Sequence, residues 1–266
     1  MFLEKLLQRI EKNNSRLCVG LDPDLSRLPE PIEKSPAGVG QFLQAIIEAT
    51  GDLACVYKPN FAFFGALGLE GFAVLERTIR TAQEHAPVIL DAKVGDIGNT
   101  AKAYAEMAFD RFGADAVTLN PYMGSDSIAP FIEREDGFGF ILGITSNAGA
   151  KDIETLELAQ GGSVYEQLAE TFEAKFPQDN WGWVAGATQI EDLKKLRAKS
   201  PERWLLIPGV GAQGGAAAES LEGAKTPTGE VRGILNASRS ILYASSGGDF
   251  KEAARKAALE LVAEMR

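Results

Sequence analysis

Short apolar runs alternate with longer amphipathic segments along most of the chain. Eight runs are rich in β-branched or other apolar residues and are short enough to be buried strands. They cover residues 17–21, 53–57, 88–90, 116–119, 138–144, 184–187, 204–207 and 233–235. Helical spacing of apolar residues between them predicts helices over 41–50, 74–84, 100–112, 164–176 and 191–198 and around 219–221.

This alternation of strand and helix predicts the fold class. Strands joined by crossover helices must run parallel. Eight such repeats in 266 residues fit a closed (β/α)8 barrel better than an open sheet. Because no Pro-, Gly- or Ser-rich linker divides the chain, we predict one α/β domain over residues 1–266 with an amphipathic helix at its N-terminus. The connections 23–40, 147–162 and 209–229 follow strands and are candidate lids.

The charge balance excludes some classes of partner. The chain has 37 acidic and 27 basic side chains and a formal net charge of −10. This charge repels phosphate backbones and anionic lipid, which argues against nucleic-acid and membrane partners. The longest apolar stretch, residues 61–69, is far shorter than the roughly 20 residues of a membrane-spanning helix. The charged N-terminus is unlike a signal peptide, so we expect a cytoplasmic protein.

Few residues are available for metal or nucleophilic chemistry. Cys18 and Cys55 lie within apolar runs, where cysteine usually behaves as a small buried side chain. His85 is the single histidine and lies near a predicted helix end. A zinc site or a Ser-His-Asp triad would need more of these residues. We therefore expect no metal, and chemistry carried out by Asp, Glu, Lys, Ser and Arg.

Charged side chains cluster where the first three predicted strands end. Asp22 follows the first strand, Lys58 the second, and Asp91 and Lys93 the third, with Asp96 in the next turn. Asp91 and Lys93 are two residues apart and would share a face of an extended strand at the barrel mouth. Such a cluster would keep Lys93 protonated and Asp91 ionised, giving a fixed field and a proton donor. The alternative is an ion-pair network that only positions strands, although burying such pairs rarely adds stability.

A second group of residues follows the last two predicted strands. The segment IPGVGAQGG at 207–215 offers backbone N–H groups before a helix, and Arg239 follows the eighth strand. Barrels commonly bind phosphate at this position. The glycines also match G-x-G-x-x-G, but Asn236 stands where a dinucleotide site would have an acidic residue. We favour a phosphate site over a nicotinamide site, with a plain tight turn as the remaining alternative.

These residues carry a resemblance to a known enzyme family. The signature Asp-x-Lys-x-x-Asp is present as Asp91, Lys93 and Asp96, followed by Ile97 and Thr100. The segments VGLDPD, YKPN, TSN and PGVGAQGG extend the match over residues 19–241. The chain thus resembles the orotidine 5′-phosphate decarboxylases, carboxy-lyases of the last step of uridine monophosphate synthesis, in their longer bacterial branch (type 2). It departs from many members at Ser238, where they have a glycine before the phosphate-binding arginine.

The resemblance implies a role for each site residue. Asp22 and Lys58 would hold ribose hydroxyls, and Lys58 would also bond Asp91, which would face the scissile carboxylate. Lys93 would stabilise the carbanion left at C6 of the pyrimidine and then protonate it. The other implied contacts are those of Ser146 with the pyrimidine edge, Pro208 with the base, Ser238 and Arg239 with phosphate, and Gln213 with phosphate while bridging towards the base.

The resemblance also implies an assembly. Asp96, Ile97 and Thr100 would reach into the neighbouring subunit's site, so we expect a homodimer with two shared sites. No cofactor is implied, because the carbanion would be stabilised electrostatically. Two other classes remain open: a metal-dependent epimerase or aldol-type synthase acting on pentose phosphates, and a catalytically silent nucleotide-binding protein. Release of CO2 from orotidine 5′-phosphate in excess EDTA would separate these possibilities.

Overall fold

The computed structural model describes residues 1–187, 190–209 and 216–266. These residues form eight strands, most of them buried along their whole length. In chain order the strands are β1 (Leu17–Leu21), β2 (Ala54–Pro59), β3 (Ile89–Val94), β4 (Ala116–Leu119), β5 (Gly139–Ile144), β6 (Trp181–Ala185), β7 (Trp204–Pro208) and β8 (Gly233–Ala237). They pair side by side in the order β2-β1-β8-β7-β6-β5-β4-β3.

The strands pair in parallel, and the first and last strands of this order, β2 and β3, are also linked to each other. The β1–β2, β5–β6, β6–β7 and β7–β8 pairs are parallel. Parallel bridges from Tyr57 to Val88 and from Asn60 to Asp91 link the β2 region to the β3 region. Eight strands in this succession, alternating with helices, define a (β/α)8 barrel, which confirms the predicted fold class. The single domain over 1–266 stays a prediction.

Helices connect the strands as predicted. They are α1 (Phe2–Asn13), α2 (Pro36–Thr50), α3 (Phe61–Gly65), α4 (Leu69–Gln83), α5 (Gly98–Ala105), α6 (Ala129–Ile132), α7 (Val164–Lys175), α8 (Ile190–Lys199), α9 (Ala216–Gly223), α10 (Arg239–Leu242) and α11 (Phe250–Glu264). At α7, Ser163 and Glu166 form a capping box that satisfies N–H groups at the helix start. In the described parts of the chain, every helix is too short or too polar to cross a membrane.

The chain divides into two compact units. Unit 1 consists of Met1–Ala92, Ala103–Val117 and Ala237–Arg266. In its core, the ring of Phe42 in α2 lies 5.9 Å from the ring of Tyr243 and 5.6 Å from that of Phe250. The Arg255 guanidinium in α11 donates to both carboxylate oxygens of Asp52, at 2.6 and 2.7 Å. These contacts hold the C-terminal helix against the residues that lead into β2.

Unit 2 consists of Lys93–Lys102 and Thr118–Asn236. Its core contains Trp181 and Trp183 of β6, whose rings are 5.2 Å apart, and Phe172 of α7 at 6.1 Å from Trp183. The buried guanidinium of Arg197 donates to the carbonyls of Ser200, Pro201, Arg203, Ala224 and Arg232. This one side chain therefore ties α8 to the segments that lead into β7 and β8.

Some element boundaries differ from the predicted ones for physical reasons. β3 continues to Val94 instead of ending at residue 90. Its second half contains the charged residues Asp91 and Lys93, which a search for apolar runs leaves out. α2 begins at Pro36, inside the predicted connection 23–40, because Ser35 caps it and proline is favourable at N1. The predicted helix 100–112 is α5 continued by a π-helical segment, Glu106–Arg111. Both cysteines are buried thiols, as predicted.

Candidate active site

A buried ion pair in unit 1 joins Lys58, near the carboxyl end of β2, to Asp91 in the middle of β3. The Lys58 ammonium donates to Oδ2 of Asp91 at 2.7 Å, and both side chains are less than a tenth exposed. Asn60, directly after β2, donates its side-chain N–H to the same oxygen at 3.4 Å. The parallel bridge between Asn60 and Asp91 sets this register. The predicted proximity of Lys58 and Asp91 is thus confirmed.

The electrostatics of this pair favour the charged forms. Burial by itself lowers the pKa of Lys58, because it removes water from the ammonium, but the carboxylates of Asp91 and Asp22 outweigh burial and raise that pKa above its ordinary value. The Cys18 thiol in β1 lies in the same electrostatic surroundings, and burial raises its pKa to about 12. Lys58 therefore stays an ammonium and Cys18 stays a neutral thiol at physiological pH.

Asp22 is held directly after β1, also in unit 1. The Tyr243 hydroxyl accepts a hydrogen bond from the Asp24 amide at 2.6 Å and donates one to the Asp22 carbonyl at 3.1 Å. The Asp22 side chain is half-buried. Its Oδ1 is inaccessible to solvent and has no hydrogen-bond partner among the described residues. Buried oxygens of this kind normally have a donor. A hydroxyl group of a bound ligand would supply one.

Lys93, the first residue of unit 2, has an unusual backbone conformation. Its φ is +47°, in the left-handed region that lysine rarely adopts, and its side chain is exposed. The backbone at Lys93 thus departs from regular extended strand, and the expectation that Asp91 and Lys93 share a face stays a prediction. The Lys93 amide donates to Oγ1 of Thr118 in β4 at 2.9 Å.

The residues after Lys93 lead into α5. Asp96 is half-buried, and its Oδ1 accepts a hydrogen bond from the Ile97 amide at 2.8 Å. The Ile97 side chain is 53% exposed, and Thr100 is also exposed. Unit 2 thus exposes the side chains of Ile97 and Thr100, one of them apolar, and leaves Asp96 half-exposed.

Ser146 and Pro208 lie at the ends of β5 and β7 in unit 2. Ser146 is exposed, and a Cβ at Gly186 would come within 3.1 Å of three of its atoms, so a glycine is needed for the two segments to pass. Pro208 is half-buried as the last residue of β7. Gln213 falls outside the described residues. Its phosphate contact stays a prediction.

Ser238 and Arg239 follow β8 in unit 1. Ser238 is half-buried at the start of α10, and Arg239 is the first residue of that helix, with an exposed side chain. The same four-residue helix leads directly to Tyr243, which bonds the backbone around Asp22. The candidate phosphate arginine and the candidate ribose aspartate therefore belong to one hydrogen-bonded part of unit 1.

Three side chains of this region were not singled out from the sequence. Asn60 was detectable, since it is the first polar residue after β2. Thr118 lies inside an apolar strand, where a lone threonine gives no signal. Tyr243 is 221 positions from Asp22 along the chain, and no local pattern connects the two. Within the described parts of the chain, no group of three or more His, Cys, Asp or Glu is placed to hold a metal ion.

Comparison with known proteins identifies similar chains over nearly the full length. The model of the "Orotidine 5'-phosphate decarboxylase / HUMPS family" matches residues 15–257. An orotidine 5′-phosphate decarboxylase of Herpetosiphon aurantiacus is 51% identical over 259 residues, covering 97% of this chain and 95% of the relative. One of Roseiflexus castenholzii is 45% identical over 261 residues, covering 98% and 95%. The solved structure of Leishmania donovani OMP decarboxylase superposes with a TM-score of 0.85 at 37% identity, covering 99% of this chain and 98% of that one.

Proposed function

The chain belongs to the orotidine 5′-phosphate decarboxylase family, and from that premise we propose how its own residues carry out the reaction. It is a decarboxylase that converts orotidine 5′-phosphate to uridine 5′-monophosphate and CO2, a step of pyrimidine biosynthesis. The observation that best supports our assignment of the reacting groups is the buried Lys58–Asp91 pair. It places a fixed carboxylate in the Asp-x-Lys-x-x-Asp segment, two residues before an exposed lysine.

The chemical difficulty of the reaction is the electron pair that CO2 leaves behind. The bond between C6 and the carboxylate carbon breaks, and the pair remains in an in-plane orbital that the ring cannot delocalise. A positive charge aimed at C6 stabilises that pair without any electron sink. We assign this role to the Lys93 ammonium, which then transfers a proton to C6. The resulting neutral amine is protonated again by water. No metal or organic cofactor takes part in this proposal.

Asp91 faces the departing carboxylate in this mechanism. Lys58 compensates the buried charge of Asp91 and keeps it ionised, so the substrate carboxylate meets a second negative charge in the ground state. That repulsion disappears as neutral CO2 leaves, which lowers the barrier, although stabilisation by Lys93 is the larger effect. The partnerless Oδ1 of Asp22 accepts a hydrogen bond from a ribose hydroxyl, with Lys58 beside it.

The other end of the nucleotide is bound away from the reacting carbon. Arg239, with Ser238 before it, binds the phosphate group, and Gln213 bridges from the phosphate towards the base. Ser146 bonds the pyrimidine edge, and Pro208 packs beside the ring. Binding energy from the remote phosphate is then available to orient the pyrimidine and close the surrounding connections over it.

The catalytic unit is proposed to be a homodimer in the cytoplasm, with Asp96, Ile97 and Thr100 completing the partner's site. Exposed apolar side chains after β3 and β4 support this assembly. Ile97 is 53% exposed, Tyr122 80% and Met123 51%. Because burying such groups is favourable by about 25 cal/mol per Å² of apolar surface, each of these side chains would gain from being covered by a second copy.

The decisive experiment measures CO2 release from orotidine 5′-phosphate by the purified protein in excess EDTA. We expect turnover to continue with EDTA, and Lys93→Ala to lower kcat by at least about 10³-fold while the protein still binds uridine monophosphate. Lys256→Ala, which removes an exposed lysine of α11, is the matched control and should have no effect. Loss of activity in EDTA would indicate metal-dependent chemistry. An inert wild-type protein that binds the nucleotide would indicate a binding protein.

A further inference from the structure

The left-handed backbone at Lys93 needs a physical cause. Among the described residues other than glycine, only Asn14 and Lys93 have a positive φ. Asn14 ends α1, a position where asparagine commonly adopts this conformation. Lysine has no such local compensation and pays a steric penalty between its Cβ and the backbone. Some neighbouring structure must therefore hold Lys93 in place.

Strand β4 and the residue directly after it supply contacts on both sides of Lys93. On one side, the Lys93 amide donates to the Thr118 hydroxyl at 2.9 Å. On the other side, the Val94 carbonyl accepts a hydrogen bond from the Asn120 amide at 2.9 Å. The next residue is Gly95, where a Cβ would lie 2.4 Å from the Asn120 carbonyl oxygen, so the two segments are in close contact. All of these residues belong to unit 2.

The Thr118 side chain bonds the Lys93 backbone directly. It is 1% exposed, so water does not compete for its hydroxyl. Its side chain is β-branched and lies in a regular strand, which restricts its rotamers and fixes the direction of Oγ1. A buried acceptor in a rigid strand is well suited to hold a strained amide in one orientation.

We propose that Thr118 is a positioning residue for catalysis: its hydroxyl holds the Lys93 backbone in the left-handed conformation that directs the Lys93 side chain towards the substrate. This inference rests on the proposed function, since it assumes that the Lys93 ammonium acts at C6. A change of φ from the left-handed to the extended region would swing the Cα–Cβ bond and displace the ammonium. Misplacing a catalytic group by about 1 Å costs up to about 10²-fold in rate.

The test compares Thr118→Val, which keeps the shape and removes the acceptor, with Thr118→Ser, which keeps the hydroxyl. We expect Thr118→Val to lower kcat by about 10- to 100-fold, with KM changed less than about threefold, because the groups that bind ribose and phosphate are untouched. Thr118→Ser should stay within about threefold of the wild-type kcat. Affinity for uridine monophosphate should stay unchanged in both variants.

A matched control separates positioning from stability. Ser15 is also buried, and its hydroxyl likewise accepts a backbone amide, that of Leu17 at 3.1 Å. Ser15→Ala should therefore lose a similar hydrogen bond and keep its kcat. If Ser15→Ala and Thr118→Val lose kcat to the same extent, the hydroxyl of Thr118 has only a general structural role and the proposal is overturned.

The outcomes also distinguish this inference from the proposed function. If Lys93→Ala retains normal turnover, the assignment of Lys93 fails. If Lys93→Ala is inactive while Thr118→Val keeps kcat within about twofold of wild type, only the positioning role of Thr118 fails. Should Thr118→Val not fold, Thr118→Ala is compared with Thr118→Ser, since those two side chains differ only in the hydroxyl. Equal kcat values in that pair would overturn the proposal.

Discussion

At the scale of single residues, the Lys58–Asp91 pair is expensive to bury. Removing water from an ammonium and a carboxylate costs several kcal/mol per ion, and their attraction recovers this only when the geometry is good. The 2.7 Å contact, the second donor Asn60 and the nearby carboxylate of Asp22 are the compensation. A pair that served only to hold strands together could be replaced by apolar side chains without loss.

Substitutions at this pair distinguish stability from function. We expect Lys58→Met to lower the free energy of unfolding by about 3–5 kcal/mol, because it leaves the Asp91 carboxylate buried without its main partner. The double variant Lys58→Met/Asp91→Leu should recover most of that stability in urea unfolding while remaining inactive. If the double variant kept normal decarboxylation, the pair would be structural and its catalytic assignment would be wrong.

Arg239 offers a second test at this scale. A charge-assisted bond to phosphate is worth about 1.5–3 kcal/mol, so Arg239→Ala should raise KM for orotidine 5′-phosphate by about 10- to 100-fold. Turnover of the nucleoside orotidine, which lacks phosphate, should hardly change. Arg80→Ala in α4 removes another exposed guanidinium and serves as the control. An equal loss on both substrates would place the phosphate site elsewhere.

At the scale of elements, the apolar pattern predicted the existence of every strand and the exact bounds of two. β1 and β4 begin and end with apolar residues and contain no charged side chain, so the pattern and the element coincide. The predicted range of β3 ended too early, because charged residues at the end of a strand do not match an apolar pattern. For the same reason the sequence located Asp91 and Lys93 but could not show that Lys93 departs from extended geometry. That departure depends on contacts with β4, which are remote in sequence.

In the connection after β5, one side chain fixes the position of the residue next to Ser146. Glu154 accepts hydrogen bonds from the Thr145 amide at 2.7 Å and from the Thr145 hydroxyl at 2.8 Å, which ties this segment to the residue before Ser146. We expect Glu154→Ala to destabilise the protein by about 1–3 kcal/mol and to raise KM, because Ser146 loses its fixed position.

Glu157 provides the control for this prediction. It lies in the same segment, but its side chain is exposed. Glu157→Ala should therefore leave both KM and thermal stability close to those of the wild type, as measured by steady-state kinetics and calorimetry. If Glu154→Ala behaves like Glu157→Ala, the hydrogen bonds of Glu154 do not position Ser146.

At the scale of the whole molecule, the proposed shared sites can be tested by mixing subunits. Lys93→Ala and Asp96→Ala are each expected to be inactive, and mixing them with subunit exchange should restore roughly a quarter of wild-type activity. This value follows because half of the random dimers are hybrids, and each hybrid has one intact site of two.

A second mixture tests which residues come from one chain. Lys93→Ala mixed with Asp91→Ala should recover nothing, because both residues are assigned to the same subunit's contribution. Exchange is verified by mass spectrometry of differently tagged subunits. If exchange is demonstrated and the first mixture stays inactive, each site is built from a single chain.

The hydroxyl of Tyr243 joins the residues after the first strand to the helix after the last one. Unit 1 is likewise assembled from Met1–Ala92, Ala103–Val117 and Ala237–Arg266. During translation the N-terminal part emerges first. The support of Asp22 must then wait until Tyr243 has left the ribosome. Nascent chains that end before Tyr243 consequently lack this support of the residues after the first strand.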